Sequence, residues 1–174
     1  AAVPDATYTI GVKATDIAGN FSTIVVPVTV DNTPPLVSIT NPAGNSFVSG
    51  LVSVRGLAED VNLLSYKVEY GAESSPASWN NIRTSLEAPA GEELAQWDTS
   101  GLSGLFTLRV VAEDKAGNIS EGRVFVTVDN TPLFVDLTSP LEGAVLGRNV
   151  PVRGTITKDS RYTLDYKAQS DTVW

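Results

Sequence analysis

Carboxylate and amide side chains occur at three separate places in the chain where strands are predicted to end. Asp31 and Asn32 follow one apolar segment, Asp60 follows another, and Asp114 and Asn118 flank a short turn. In a two-sheet sandwich the chain entry and two of the loops lie at the same pole, so we expect these side chains to meet there. Calcium binds about six to eight oxygen ligands of this kind. The residues therefore predict a calcium site, and calcium is the only cofactor that the sequence suggests.

The same residue types also serve in tight turns without a metal. An Asp at the start of a turn accepts hydrogen bonds from backbone N–H groups, and Asn after Gly is common where the backbone reverses. In that interpretation Asp31 caps the end of a strand, and Asp114 and Asn118 stabilise a hairpin. Lys115 adds a positive charge inside the turn. The sequence leaves both interpretations open, the calcium site and the turn alone.

Histidine and cysteine are absent from the chain. Their absence excludes the usual Ser-His-Asp and Cys-His arrangements, and it excludes zinc sites built from imidazole and thiolate ligands. Adjacent carboxylates occur at Glu59-Asp60 and Glu92-Glu93. Neighbouring residues on a strand point to opposite faces, so neither pair is placed to flank a substrate. The sequence predicts no catalytic residues, and therefore a protein that is not an enzyme.

The charge balance is acidic, with 20 Asp and Glu residues against 12 Lys and Arg residues and a net charge of −8. Nucleic acids and anionic membranes are bound by concentrated basic surfaces, which this composition does not provide. No apolar stretch reaches the roughly 20 residues of a membrane-spanning helix. We therefore expect no nucleic-acid partner and no membrane insertion.

Trp79 is the best candidate for a carbohydrate contact, because it follows a polar Ser-Ser-Pro segment and sugars stack on exposed aromatic faces. A single tryptophan in a small β-sandwich more often fills the core. A carbohydrate partner is therefore a weaker prediction than packing at this position.

The elements that position these residues come from an internal repeat. The segments Ala14–Asn20 and Ala112–Asn118 share the pattern Asp-x-Ala-Gly-Asn, and each is followed by Asp-Asn-Thr-Pro at the same distance. Residues 8–34 and 106–132, which are 98 positions apart, are identical at 16 of 27 positions. A period near one hundred residues is the length of one small β-sandwich. The chain is therefore predicted to be part of a tandem array.

Apolar residues alternate with polar residues along most segments, which is typical of half-buried strands, and no stretch has a helical period. The polar stretch 71–91 is predicted to be a loop, and a strand is predicted at 163–167. Three segments follow from the repeat: residues 1–32 as the C-terminal part (strands F and G) of one repeat, residues 33–130 as a complete repeat, and residues 131–174 as the N-terminal part (strands A to C) of a third.

Several short motifs carry a resemblance to a known family: Pro34-Pro35-x-Val37-x-Ile39, Trp97-Asp98-Thr99 and Ala112-x-Asp114-x-Ala116-Gly117-Asn118. The pattern resembles the bacterial Ig-like domains that occur in tandem in surface adhesins, S-layer-type proteins and secreted multidomain hydrolases. The resemblance covers nearly the whole chain and implies an all-β fold of tandem immunoglobulin-like β-sandwiches. The Asp-Asn-x-Pro linker is also similar to the calcium-binding linkers of cadherins.

The resemblance implies an extracellular or cell-surface location and a non-catalytic structural or adhesive function, as a stalk, fibre or scaffold. The alternative is the accessory array of a secreted hydrolase, acting as a spacer or in carbohydrate binding. The expected partners are neighbouring Ig-like repeats, either in the same chain or in identical copies. In the second case, exchange of strands between copies would give a head-to-tail fibre.

Overall fold

The chain is built from β-strands joined by loops in the computed structural model, which describes residues 3–157 and 161–168. It forms two compact units, Ala1–Asn130 and Thr131–Trp174, which are described separately. The described residues form twelve strands and no helix. Among them there is accordingly no helix with the length and apolar character needed to cross a bilayer.

The first unit begins with a hairpin of two strands, β1 (Ala6–Thr15) and β2 (Phe21–Val30), which pair antiparallel without a bulge. A tight turn joins them, and Gly19 in this turn has a φ of 90°, a conformation that favours glycine. The pairs Tyr8–Val28 and Ile10–Val26 place the apolar residues of both strands on one face of the hairpin. The hairpin therefore presents one apolar face and one more polar face.

The rest of the first unit is a complete two-sheet sandwich. One sheet has five strands in the order β4-β10-β9-β6-β7, and the other has three in the order β3-β5-β8. The strands are β3 (Leu36–Asn41), β4 (Ser46–Val48), β5 (Leu51–Glu59), β6 (Leu63–Ala72), β7 (Asn80–Ser85), β8 (Glu93–Asp98), β9 (Gly104–Asp114) and β10 (Ile119–Val128). The polar stretch 71–91, predicted to be a loop, contains β7, which pairs with β6 at the edge of the larger sheet.

The core of the sandwich lies between the two sheets and is formed by alternate residues of the central strands. Leu108 of β9 and Val54 of β5 are fully buried, and Trp97 of β8 is 1% exposed. The ring centroid of Trp97 lies 5.3 Å from that of Tyr70 and 6.1 Å from that of Phe106. Aromatic rings at these separations add to the stability gained from apolar burial. The prediction of an all-β sandwich is confirmed.

The second unit contains two antiparallel strands, β11 (Val135–Ser139) and β12 (Arg153–Ile156). Their positions correspond to β3 and β5 of the complete repeat. The strand predicted at 163–167 is not formed in the described part of this unit. Its counterpart β6 is held between β7 and β9. The described residues of the second unit contain no counterpart of β7 or of β9. A strand at 163–167 would therefore leave its backbone N–H and C=O groups without hydrogen-bond partners.

Candidate metal site at the repeat junction

Asp114 ends β9 and organises the turn into β10. One of its carboxylate oxygens accepts hydrogen bonds from the backbone N–H groups of Ala116 (2.8 Å) and Asn118 (2.9 Å), and the other accepts one from the Asn118 amide (2.8 Å). The residue is fully buried. Burial raises the pKa of Asp114, but the hydrogen bonds from Asn118 and Ala116 together lower that pKa below its usual value. The carboxylate is therefore ionised at neutral pH although it is buried.

Asp31 lies in the linker that follows β2 and faces the complete repeat. One carboxylate oxygen accepts a hydrogen bond from the side-chain amide of Asn62 (2.6 Å), and the other accepts one from the Thr33 N–H (3.1 Å). The backbone carbonyl of Asp31 accepts a hydrogen bond from the Asn118 amide at 3.1 Å. The linker is thus bonded to both loops at this pole of the sandwich.

Asp60 starts the loop between β5 and β6 and completes the group. Its carboxylate accepts a hydrogen bond from the Asn62 N–H at 2.6 Å. Asp31, Asp60 and Asp114 each place a carboxylate oxygen within 4.8 Å of the others. We call these three residues the junction carboxylates. Asp31 and Asp60 are half-buried, so the group is open to solvent on one side.

The structure does not bring every predicted ligand into this group. The Asn32 side chain lies on the other side of the linker, where it donates hydrogen bonds to the Asp5 carboxylate (2.5 Å) and the Val3 carbonyl (3.0 Å). The Asn118 amide nitrogen is used in bonds to Asp114 and to the Asp31 carbonyl. Asn62, which the sequence analysis missed, holds Asp31 in place. The spacing Asp-x-Asn directly after a strand is the signal that could have identified it.

The chemistry of the junction carboxylates suits a hard cation. Three carboxylates at this separation carry negative charge that a divalent ion such as calcium would neutralise, and all of their donor atoms are oxygens. A cleft of about 270 Å³ beside them is lined by Thr29, Asp31, Asn62, Lys115 and Ala116. Lys115 lines the same cleft as Asp31, so its ammonium group is an alternative to calcium as the counter-charge of the junction carboxylates. The residues present fit calcium, and they also fit a lysine that offsets the same charge.

Trp79, the candidate for a carbohydrate contact, lies on the outer face of the larger sheet and is half-buried. Its ring has the Arg109 guanidinium 3.9 Å and the Arg123 guanidinium 5.2 Å from the ring centroid. Arg109 is in turn bonded to Glu69 (2.8 Å) and Glu121 (3.3 Å). Stacking of guanidinium groups on an indole stabilises this surface. A sugar ring would have to compete with these guanidinium groups for the indole.

The chain was compared with solved structures and with curated protein sequences. Two solved structures resemble the chain: an engineered protein determined at 1.98 Å (23% identity, TM-score 0.40) and the endo-β-1,4-mannanase from Thermotoga petrophila (15% identity, TM-score 0.44). The matches cover 55% and 58% of this chain and 20% and 21% of the respective structures, so the chain spans about a fifth of their length. No curated protein sequence matches the chain.

A protein family also matches the chain, under the description bacterial Ig-like domain. The match extends over residues 2–32 and 47–130. These residues make up well over half of the chain, and they include the β1–β2 hairpin, most of the complete sandwich and all three junction carboxylates. The chain therefore belongs to the bacterial Ig-like domain family.

Proposed function

We propose that the chain is a non-catalytic structural segment of an extracellular or cell-surface bacterial protein, in which tandem Ig-like domains act as a spacer or adhesive scaffold. Bacterial Ig-like domains have structural or accessory roles. The observation that carries the proposal is the linker between the first hairpin and the complete repeat, whose side chains are bonded on both sides. A linker held in this way limits the relative motion that is otherwise expected between domains.

The two residues at the start of the linker form hydrogen bonds with different parts of the molecule. Asn32 bonds back to the first hairpin, through Asp5. Asp31 bonds forward to the complete repeat, through Asn62 and Asn118. Bending of the chain between the two parts would break several of these bonds together. This arrangement supports a segment that keeps a fixed direction along the array.

A distance measurement between spin labels tests this rigidity. The chain has no native cysteine, so Thr9→Cys on the exposed polar face of β1 and Leu86→Cys in an exposed loop of the sandwich give two unique labels. We expect a narrow distance distribution that broadens on Asn118→Ala, which removes the bond to the Asp31 carbonyl. Asn20→Ala is the matched control, because Asn20 makes the same bond within its own turn. A broad distribution in the otherwise unchanged chain would contradict a rigid spacer.

Calcium at the junction carboxylates is the second part of the proposal. The ion would join the linker residue Asp31 to the loops that carry Asp60 and Asp114, and so would stiffen the junction further. The support is the separation of the three carboxylates, all within 4.8 Å, and their purely oxygen donor set. The competing arrangement is the turn without a metal, with Lys115 offsetting the charge.

Thermal unfolding of the 174-residue chain in millimolar calcium and in chelator distinguishes the two arrangements. A ligand that binds only the folded state at about one hundred times its Kd adds about 2.7 kcal/mol to the free energy of unfolding, so we expect a higher Tm in calcium. Asp60→Asn should abolish this increase, because it removes a charge but keeps the acceptor for the Asn62 N–H. Asp16→Asn, in the corresponding turn of the first hairpin, should leave it intact. An identical Tm in calcium and chelator would disprove the ion site.

A further inference from the structure

The pair formed by β4 and β10 is parallel, whereas the other strand pairs in the described part of the chain are antiparallel. β4 lies beside residues 126–128 of β10. Backbone hydrogen bonds continue the pair on both sides, from the Asn45 N–H to the Phe125 carbonyl (2.7 Å) and from the Asp129 N–H to the Val48 carbonyl (3.0 Å). The pair is therefore short, and a hydrogen bond closes it at each end.

The parallel direction of β4 and β10 determines how tension in the chain loads them. β4 is connected through β3 to the linker that precedes the complete repeat, and β10 leads directly into the linker that follows it. A pull on the two linkers draws the two strands in opposite directions along their common axis. The bonds between the strands then bear the load together. Two strands pulled apart at the same end open one bond at a time instead.

The segment that contains β3 and β4 is attached to both sheets of the sandwich. β3 pairs with β5 of the smaller sheet from Leu36 to Asn41, and β4 pairs with β10 of the larger sheet. Tension from the preceding linker reaches β3 first and β4 after it, and it acts along both strands. Both pairs must therefore slide apart before tension reaches the central strands of the sandwich.

A second set of bonds holds the chain where it leaves the complete repeat. The Asn130 side chain donates hydrogen bonds to the carbonyls of Thr99 (2.5 Å) and Leu102 (3.0 Å), and its oxygen accepts one from the Gly50 N–H (2.9 Å). We call these three bonds the exit bonds. Gly50 lies two residues after the end of β4. The exit bonds therefore tie the end of β10 to the end of β4, and tension from the following linker loads them before it loads β10.

The inner side of the β4–β10 pair is closed to water. Val126 is fully buried and Val128 is 1% exposed, and Val48 of β4 packs against the same core. A hydrogen bond that opens beside these side chains is not replaced at once by a bond to water on that side. Its loss under load therefore costs more than the loss of a fully exposed hydrogen bond.

We propose that the complete repeat bears tension along the array, and that its resistance lies in the β4–β10 pair and the exit bonds. This inference rests on the proposed function, since a structural segment of an array carries the load, and it adds where the load is carried. The sandwich holds until β4 and β10 separate, and the core then unfolds in the same event. Each hydrogen bond that must break in one step slows unfolding about two- to tenfold.

Unfolding of single molecules at constant force, in chelator, tests the proposal. The full chain is held by a coupling tag at each end, and unfolding of residues 33–130 is recognised by a gain in length of about 300 Å. Because the chain lacks cysteine, Ser49→Cys gives another attachment point on an exposed residue after β4. A pull between position 49 and the C-terminal tag acts on one end of the pair and peels its strands apart. At equal force the lifetime between the terminal tags should be about tenfold longer or more.

Two alanine variants separate resistance to tension from stability without load. Asn130→Ala removes the exit bonds and should shorten the lifetime between the terminal tags about five- to a hundredfold. Leu108→Ala empties a fully buried core position and lowers the free energy of unfolding strongly. It should shorten the lifetime less than about twofold, because the core stays packed until β4 and β10 separate. Asn130→Asp keeps the bond to Gly50 and should lie between Asn130→Ala and the unchanged chain.

Two outcomes would overturn the proposal: equal lifetimes for the two attachment geometries, or a lifetime that Leu108→Ala shortens more than Asn130→Ala does. The spin labels report bending of the linker without load, so the two proposals can fail separately. A rigid linker beside a repeat that yields equally in both geometries would contradict only the inference about tension. A flexible linker beside a repeat that resists only the pull between the terminal tags would contradict only the rigid spacer. Chelator keeps the result independent of calcium at the junction carboxylates.

Discussion

The β1–β2 hairpin and the β9–β10 hairpin have closely related sequences and different surroundings. Both pair in the same register, as shown by the equivalent pairs Tyr8–Val28 and Phe106–Val126. Their burial differs completely: β9 and β10 form the centre of a five-stranded sheet, whereas β1 and β2 are paired only with each other. The local sequence therefore sets the turn and the register, and neighbouring strands determine which side chains become the core.

The turns of the two hairpins show the same contrast at the level of single atoms. Asp16 accepts hydrogen bonds from the Ala18 N–H (2.9 Å), the Asn20 N–H (2.9 Å) and the Asn20 amide (2.8 Å). Asp114 accepts the same three bonds in its own turn. Among the described residues, Asp114 belongs to a group of three carboxylates from different segments of the chain, and Asp16 belongs to no such group. The turn is a local structure, and the candidate metal site is a tertiary one.

Truncation of equivalent apolar residues in the two hairpins should give the largest difference between them. Leu108→Ala empties a fully buried position and should cost about 2–5 kcal/mol in the free energy of unfolding. Ile10→Ala removes a side chain that is 57% exposed and should cost less than about 0.5 kcal/mol. Urea unfolding measures both values. Equal losses would show that Ile10 is covered as completely as Leu108, against the exposure that the structure gives it.

Replacement of the equivalent linker residues Asn130 and Asn32 by Ala should give the second-largest difference in the free energy of unfolding. The Asn130 amide donates hydrogen bonds to the carbonyls of Thr99 (2.5 Å) and Leu102 (3.0 Å) and accepts one from the Gly50 N–H (2.9 Å), in a partly buried position. Asn130→Ala leaves these groups without their partner and should cost about 1–3 kcal/mol.

Asn32→Ala should have a smaller effect on the complete repeat, under about 0.5 kcal/mol, because the partners of Asn32 are exposed and belong to the first hairpin. Asn130→Asp provides a graded control, since it keeps the acceptor for Gly50 and loses both donors. Its free energy of unfolding should lie between those of the unchanged chain and Asn130→Ala. If Asn32→Ala destabilised the complete repeat as much as Asn130→Ala, the two linkers would not differ as the structure indicates.

The smallest difference should be between the two turns, in how much each makes the stability of the chain depend on acid pH. Hydrogen bonds from Asn20 lower the pKa of Asp16, and at Asp114 similar bonds outweigh the burial that raises its pKa. A carboxylate with a lowered pKa in the folded state stabilises that state above its usual pKa near 3.8. This stability is lost as the pH falls from there through the lower folded-state value. The complete repeat should therefore become less stable below about pH 4.

Two substitutions separate the contributions of the turns to this loss. Asp114→Asn should reduce the dependence of the urea midpoint on pH in this range, because Asp114 belongs to the unit that unfolds cooperatively. Asp16→Asn should leave that dependence unchanged, because the Asp16 turn lies in the exposed hairpin. The lowered pKa values of Glu93, caused chiefly by the Ser53 hydroxyl, and of Asp98, caused chiefly by the Ser100 N–H, account for what remains. An equal effect of both substitutions would contradict this assignment.

Much of the candidate site was predictable from the sequence, because the repeat marks the same turn twice. The sequence predicted that Asp31, Asp60 and Asp114 would meet, and the structure places their oxygens within 4.8 Å. It did not predict the direction of the Asn32 side chain, which depends on the position of Asp5 at the start of the first hairpin. It also missed Asn62, whose role depends on a partner 31 residues away. That calcium binds there remains a prediction.

By itself, the sequence determined the all-β class, the period of the repeat, the alternation along the strands and the geometry of both Asp-x-Ala-Gly-Asn turns. These features depend on neighbours within a few residues, so they are the same wherever the pattern occurs. Tertiary structure alone decided that β7 forms within a polar stretch, that residues 163–167 form no strand and that Leu108 is buried while Ile10 is exposed. Pairing and burial require a second strand at the right distance, and side chains at equivalent positions of the repeat reach different states where that strand is present or absent.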